Sequence, residues 1–185
     1  GAPGKANGTK PKRLAVAEAG TRPCVGVTGR ECVQASGAPW RNLSAKLTVA
    51  ITAGQGGTGF MGMQLAKAFG AKHIVTAASG RGIAVVKDLG ADEVIDYAET
   101  ELFDALPDDS VDVVFDNYGK PGTADKAMHA IRKGGVYLVL EGGLDGNVSS
   151  HPKAGVRQVA FGFADGSDHT TGLDDLAGLF DAHSF

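Results

Sequence analysis

Three glycines near the middle of the chain have the spacing that lets a backbone approach a phosphate closely. Gly54, Gly56 and Gly59 form the pattern G-x-G-x-x-G. A side chain at Gly56 would keep a pyrophosphate away from the backbone N–H groups, and one at Gly59 would hold the next helix off the preceding strand. The N–H groups and the positive dipole end of that helix would then attract the phosphates. The spacing therefore predicts a dinucleotide-binding turn.

The residues on either side of the glycines have the patterns of a strand and a helix. Leu47–Thr52 is apolar and β-branched without polar alternation, which is typical of a strand buried on both faces. From Phe60 onward the apolar residues, such as Met61 and Leu65, follow helical spacing, and Gly70 is placed to end this helix in a left-handed conformation. A strand, a glycine turn and a helix in this order favour nucleotide binding over a merely structural turn.

Strands and helices continue to alternate after this unit, which predicts an α/β fold. The further strands expected are His73–Ala77, Glu93–Asp96, Val111–Asp116, Val136–Leu140 and Val156–Phe161. The helices expected between and after them are Ile83–Leu89, Glu99–Leu106, Thr123–Arg132 and Leu173–Phe185. This order predicts a doubly wound parallel sheet of the Rossmann type with about six strands. A ligand should lie at the carboxyl ends of the strands, beside the first strand.

The first 46 residues differ from the rest in charge and pattern. They carry eight Lys and Arg against two Glu, a charge of +6, which leaves −9 for the remainder of a chain with net charge −3. No period persists in this stretch, although Cys24–Val27 could form a short strand. We therefore divide the chain into a basic, irregular extension (1–46) and a Rossmann domain (47–185).

Several classes of protein fit the sequence poorly. No apolar run approaches the ~20 residues that span a bilayer, and Cys24 and Cys32 give neither metal spacing nor a disulfide framework. Nucleic-acid binding is a poor fit, because the basic residues are scattered and the first 46 residues contain one aromatic, Trp40. The P-loop pattern G-x-x-x-x-G-K-[ST] is absent. We expect a soluble, intracellular protein, located in an organelle such as a plastid or mitochondrion or otherwise in the cytoplasm.

The end of the second strand indicates which nucleotide binds. NAD sites usually place an acid about 20 residues after the first glycine, where it accepts from the ribose 2′-OH. No acid lies between Gly59 and Asp88, whereas Ser79 and Arg81 lie near that position. An Arg suits a 2′-phosphate, so we predict NADPH, the alternative being that Arg81 is a solvated loop residue. The missing acid also disfavours a methyltransferase, whose site commonly holds ribose hydroxyls with an acid.

Several sequence motifs resemble those of the medium-chain dehydrogenase/reductase superfamily, in its zinc-independent quinone oxidoreductase and enoyl reductase group. They are Ala53–Gly59, Gln64–Ala71, Leu89–Tyr97, Val111–Asp116 and Arg132–Gly135, in order over about residues 45 to 145. The resemblance implies NADPH binding and hydride transfer to a quinone or an activated C=C bond. It also implies positions for the cofactor. The pyrophosphate would be lined by Gly56, Gly57, Thr58 and Gly59. The adenosine phosphate would lie beside Ser79, Arg81 and Tyr97. The adenine and nicotinamide side would be bordered by residues 117–119 and 141–143, including Asn117 and Gly142.

The chain also departs from that group. The family places a catalytic domain of more than a hundred residues before the nucleotide domain, whereas 46 residues precede the first strand here. No acid/base residue can be nominated, since His73 and His129 are interpreted as structural and His151, His169 and His183 as solvated. Two functions stay open: a quinone reductase-like enzyme, truncated or completed by another chain, and a non-catalytic Rossmann subunit of a larger protein assembly.

Overall fold

Six strands form one sheet in which every pairing is parallel. The structure is a computed structural model and describes residues 10–12, 14–15, 23–38, 47–140, 148–161 and 170–182. The strands are β1 (Thr48–Ile51), β2 (His73–Ala78), β3 (Glu93–Asp96), β4 (Val111–Asp116), β5 (Ile131–Leu140) and β6 (Arg157–Phe161). Their spatial order is β3-β2-β1-β4-β5-β6. The chain therefore adds β2 and β3 on one side of β1 and then crosses to add β4, β5 and β6 on the other side. This confirms the predicted doubly wound sheet and places its switch point beside β1.

Helices cover both faces of the sheet. They are α1 (Pro23–Ala35), α2 (Gly57–Ala68), α3 (Gly82–Asp88), α4 (Leu102–Ala105), α5 (Thr123–Ala127) and α6 (Thr170–Ala182). Apolar residues of α1, α2, α3 and α6 form one buried cluster with one face of the sheet, and those of α4 and α5 form a second cluster with the other. Within β1, Val49 and Ile51 belong to the first cluster and Ala50 to the second, because successive side chains of a strand point to opposite faces.

The expected short strand at Cys24–Val27 is wrong, because these residues lie in helix α1. Gly26 and Gly29 explain the difference. A Cβ placed on Gly29 would lie 3.5 Å from Met61 Cβ, and one on Gly26 would lie 3.1 Å from Leu176 Cδ1. Gly26 lets α1 approach α6 closely, α1 lies against α2 at Gly29, and this tertiary packing outweighs the low helix propensity of a Gly- and Val-rich segment. The division at residue 46 stays a prediction.

The expected helix Thr123–Arg132 is too long. Helix α5 ends at Ala127, and β5 already begins at Ile131, which pairs with Val111 of β4. The register then shifts, so that Val113 pairs with Val136. The intervening residues include Gly134, whose φ of +89° favours glycine. Pairing with β4 therefore takes this segment into the sheet, which a helical pattern in the sequence does not reveal.

The other predicted elements agree with the structure to within a few residues. Gly70 and Gly90 follow α2 and α3 with φ of +108° and +96°, the left-handed conformation that ends many helices. The last three residues of the predicted helix Leu173–Phe185 lie outside the described residues. Over the parts of the chain that the structure describes, none of the helices combines the length and apolar character needed to cross a membrane.

Candidate nucleotide-binding site

The glycine turn begins directly after β1 with a tight reversal of the backbone. Ala53 has a φ of +48°, and its carbonyl accepts a hydrogen bond from Gly56 N at 2.9 Å. Gly54 N donates to Ala77 O of β2 at 3.3 Å. A Cβ on Gly54 would lie 2.2 Å from Thr76 Oγ1, which itself donates to Ile51 O, so the first glycine lets the turn lie against β2.

The second and third glycines differ in what surrounds them. A Cβ on Gly59 would lie 2.3 Å from Ala53 O and 2.9 Å from Gly54 Cα, both backbone atoms, so Gly59 is required for α2 to pack onto the turn. A Cβ on Gly56 would approach one atom within 4 Å, Ala53 O at 3.2 Å. Gly56 has extended backbone angles and lines the cavity above the sheet. Gly59 therefore serves the fold, whereas Gly56 faces the cleft.

The N-terminus of α2, which directly follows Gly56 at this cleft, has unpaired donors. Among the described residues, none accepts a hydrogen bond from the backbone N–H of Gly57, Thr58 or Gly59. The N-cap residue Gly56 offers no side chain, and the first turn holds no acid. The first N–H groups of a helix need partners from outside it, and with the helix dipole they favour an anion.

A buried polar network fixes the switch point between β1 and β4. Asp116 is fully buried, and its carboxylate accepts from Thr52 Oγ1 (2.8 Å), Tyr137 Oη (2.7 Å) and the N–H groups of Tyr118 and Gly119. Asn117 N donates to Thr52 Oγ1 at 3.0 Å, and Thr58 Oγ1 donates to Asn117 Oδ1 at 3.3 Å. Burial, together with the Asp116 charge, raises the pKa of Tyr137, so its hydroxyl stays a donor. These bonds hold Asn117 beside the start of α2.

A cavity of about 710 Å³ opens at the carboxyl ends of the strands. It reaches from the glycine turn to the residues after β3 and β4, with α4 and α5 along its other side. Its lining residues are Thr52, Ala53, Gln55, Gly56, Ala77, Tyr97, Glu101, Leu102, Phe103, Tyr118, Lys120, Thr123 and Lys126. Tyr97 and Tyr118 are about half exposed, at 49% and 51%. This is the place and the size expected for a ligand site in such a sheet.

One acid lies among the lining residues, and two lysines neutralise it. Glu101 pairs with Lys126 and, at 3.4 Å, with Lys120. The hydrogen bond from Lys126 lowers the pKa of Glu101, and the charges of both lysines add to this effect. These three residues belong to no motif in the sequence, where isolated charges are typical of a solvated surface, and only the fold brings them to a cavity.

The predicted adenosine-end residues lie together at the carboxyl ends of β2 and β3. Ser79 follows β2 and Tyr97 follows β3, and Gln55 from the glycine turn bonds to both. Arg81 immediately precedes α3 and is exposed, and within the described parts of the chain no hydrogen bond or ion pair occupies its guanidinium. Sequence reasoning missed Gln55, although its place between the first two glycines is the signal that could have identified it.

The remaining residues considered in the sequence are Gly142 and the histidines. Gly142 and its neighbours 141–143 lie outside the described residues. His129 contacts Asp108 Oδ1 at 2.7 Å and Phe103 O at 2.8 Å, and His73 lies 3.5 Å from Glu93, as structural histidines do. His169 and His183 lie outside the described residues. In the described parts of the chain, no three His, Cys, Asp or Glu side chains come together as metal ligands.

The fold and the glycine turn define the class of protein, a Rossmann-type domain with its cleft at the switch point. Comparison with known families adds that the sequence profile of the zinc-binding dehydrogenases matches residues 57–162, more than half of the chain. The chain belongs to this family, within the medium-chain dehydrogenase/reductase superfamily that its motifs resemble.

Curated relatives and solved structures agree with this assignment. The chain is 37% identical over 134 residues to the 2-methylene-furan-3-one reductase of Solanum lycopersicum, covering 72% of this chain and 32% of that protein. Identity and coverage are the same for the chloroplastic NADPH-dependent alkenal/one oxidoreductase of Arabidopsis thaliana. The quinone oxidoreductase structure from Coxiella burnetii shares the fold, with a TM-score of 0.69 at 24% identity over 94% of this chain and 52% of that one. The chain thus spans about a third of the length of these curated relatives.

Proposed function

We propose that this chain is the NADPH-binding domain of a reductase that transfers hydride to a quinone or an activated C=C bond. The observation that carries the proposal is the N-terminus of α2, where three adjacent backbone N–H groups without described acceptors directly follow Gly56, which lines the cleft. The two plant relatives support the reductase class, because both are named as reductases or oxidoreductases and one as NADPH-dependent.

The residues present fit the cofactor. Gly56 leaves the cleft free of a side chain, so the pyrophosphate would lie against the N–H groups of Gly57 to Gly59, while Gly54 and Gly59 let the turn pack closely. The cavity beyond the turn, between Tyr97 and Tyr118, would take the adenine, since flat aromatic faces suit a planar ring. When bound, NADPH would supply the hydride. Asn117, held by Thr52 and Thr58, would border the path toward the nicotinamide.

The 2′-phosphate would lie beside Ser79 and Arg81. An acid in the position of Ser79 would repel this phosphate, whereas the Ser79 hydroxyl and the unpaired Arg81 guanidinium can both donate to it. The structure describes no acid in contact with Arg81 that would compete for its charge. The name of the Arabidopsis relative, which specifies NADPH, supports the same preference.

The Gly56→Val variant tests the proposal directly. Its side chain should intrude on the pyrophosphate, and its Cβ would lie 3.2 Å from Ala53 O, so that backbone oxygen must shift by a few tenths of an ångström. Circular dichroism of the variant checks that the fold stays intact. We expect calorimetry to show NADPH binding by the parent chain and a loss of at least about tenfold in the variant. Gly178→Val is the matched control, since a Cβ on this exposed residue of α6 has no neighbour within 4 Å. Equal NADPH affinity in parent and Gly56→Val would contradict the proposal.

Substrate, compartment and protein partners belong to the whole protein and are also proposals. We propose a soluble, intracellular protein, with an organelle favoured by the chloroplastic name of one relative. We also propose that further protein surface, on this chain or another, covers the nicotinamide and chooses the substrate. The alternative of a non-catalytic subunit keeps the same nucleotide site and differs in lacking turnover.

A further inference from the structure

The side chain of Gln55 crosses from the glycine turn to the end of β2. Its Oε1 accepts from Ser79 N at 3.3 Å, and its Nε2 donates to Tyr97 Oη at 3.2 Å. A backbone N–H can only donate, so the oxygen end of the amide must face Ser79. The amide also lies against Gly82, where an added Cβ would come within 1.7 Å of Oε1. Three separate segments therefore surround and orient one exposed amide.

The location of this amide gives it a chemical role. Ser79 directly follows β2, where an NAD-binding site commonly carries the acid that accepts from the ribose 2′-OH. This chain has no acid there, and the acceptor that reaches the position is the neutral Oε1 of Gln55. A neutral amide can accept from a hydroxyl through Oε1 or donate to a phosphate through Nε2, and it carries no charge that would repel a phosphate.

We propose that Gln55 reads the 2′ substituent of the adenosine ribose, and that its neutrality admits a 2′-phosphate. The inference rests on the proposed function, because it requires the nucleotide to lie along the glycine turn. It adds a specificity-determining residue that belongs to the turn itself rather than to the segment after β2. Tyr97 then serves to hold the amide in place through its hydroxyl.

Gln55→Glu tests this inference with almost no change in shape. A carboxylate at this position can still accept from Ser79 N–H and from a ribose hydroxyl, but it would lie next to a doubly charged 2′-phosphate. We expect the NADPH affinity to fall about tenfold or more while the NADH affinity is kept or rises. The same contrast should appear with the fragments 2′,5′-ADP and 5′-AMP, which lack the nicotinamide.

Gln55→Ala is the matched control, because it removes both hydrogen bonds of the amide without adding charge. We expect it to change the NADPH-to-NADH affinity ratio by less than about threefold. The loss in Gln55→Glu should also shrink as salt is raised from 20 to 500 mM, since salt screens charge repulsion. Both variants should fold like the parent by circular dichroism, because Gln55 is exposed.

The outcomes separate this inference from the proposed function. If the parent chain binds NADPH and Gln55→Glu shifts the ratio no more than Gln55→Ala, the inference about Gln55 is wrong and the proposed function stands. If the parent chain binds neither NADPH nor NADH, both fail. A ratio that shifts toward NADH in Gln55→Glu alone, and less so at high salt, supports the inference.

Discussion

Single residues at the mouth of the cleft differ in whether they serve the fold or the ligand. Gly59 touches backbone on two sides, whereas Gly56 and Arg81 touch little and face open space. The backbone angles at position 56 are open to any residue, so the conformation of the turn does not require a glycine there, and a Cβ would have Ala53 O at 3.2 Å as its one neighbour. A residue that lies at a cleft and makes few packing contacts can be replaced to test function with little change in stability.

Arg81→Ala should weaken NADPH binding by about 10- to 150-fold and leave NADH nearly unchanged. The reason is that a hydrogen bond to a charged group contributes roughly 1.5–3 kcal/mol, and NADH lacks the phosphate. Titration of both nucleotides by calorimetry measures this. Lys87→Ala, which removes an exposed charge from the last turn of α3, is the control and should change neither affinity by more than about threefold. An equal loss of NADPH and NADH in Arg81→Ala would show that Arg81 has a structural role.

At the scale of elements, α1 is joined to the Rossmann core by both packing and polar contacts. Val27, Cys32 and Val33 are buried within the core cluster. Arg30 pairs with Asp175 of α6, and Arg157 of β6 donates to Ala35 O at 2.7 Å. The glycine turn also meets α1, since a Cβ on Gly57 would lie 3.3 Å from Val25 Cγ1. Undocking of α1 would therefore expose the face of α2 that supports the turn.

The buried Cys32 thiol of α1 makes the unfolding free energy depend on pH. Burial raises the pKa of Cys32 from 9.0 to about 12, and the Glu31 charge adds to the shift. Below pH 9 both folded and unfolded chains keep the proton, so Cys32 adds no pH dependence. Between pH 9 and 12 the unfolded chain alone loses it, so the unfolding free energy falls, by at most about 1.4 kcal/mol per pH unit for this group.

Urea unfolding of Cys32→Ala from pH 8 to 10.5 tests this expectation. The variant should lose stability with rising pH less steeply than the parent, whatever its stability at pH 8. Cys24→Ala should keep the parent slope, because Cys24 is exposed. If the slopes of the parent and both variants coincide, then Cys32 is not buried as the structure describes.

Some parts of the fold and of the site could be predicted from the sequence, and others could not. The glycine turn, the strand β1 and the glycines after α2 and α3 could be predicted because backbone conformation and buried apolar runs leave local signals. The helix α1 and the start of β5 could not, because contacts with Met61 and pairing with Val111 decide them. The side chains of Glu101 and Lys126 reach the cavity through tertiary contacts alone, so no motif in the sequence indicates them, whereas Gln55 stands between the first two glycines of the turn.

At the scale of the whole molecule, the described residues leave the cavity open to solvent at Tyr97 and Tyr118. Tyr97 and Tyr118 at the cavity are about half exposed, and the chain spans about a third of its curated relatives. Positioning of two reactants can supply about 7–11 kcal/mol of a barrier, and exclusion of water strengthens the electrostatics of a site. We therefore propose that catalysis needs protein surface beyond the described residues.

The purified chain should accordingly bind NADPH but oxidise it slowly with simple quinones and enones. Absorbance at 340 nm follows the turnover, and light scattering gives the native mass in the same buffer. The positively charged first 46 residues would favour docking to an acidic partner surface, which high salt would weaken. Brisk turnover by a clean monomer would contradict the need for a covering partner and favour a self-contained reductase.

The most direct test of the central claim is a crystal structure of the chain grown with saturating NADPH. We expect the pyrophosphate within hydrogen-bond distance of the backbone N–H groups at the start of α2, and the 2′-phosphate beside Ser79, Arg81 and Gln55. Density for the nucleotide at another place, or a glycine turn without nucleotide at saturating concentration, would contradict it.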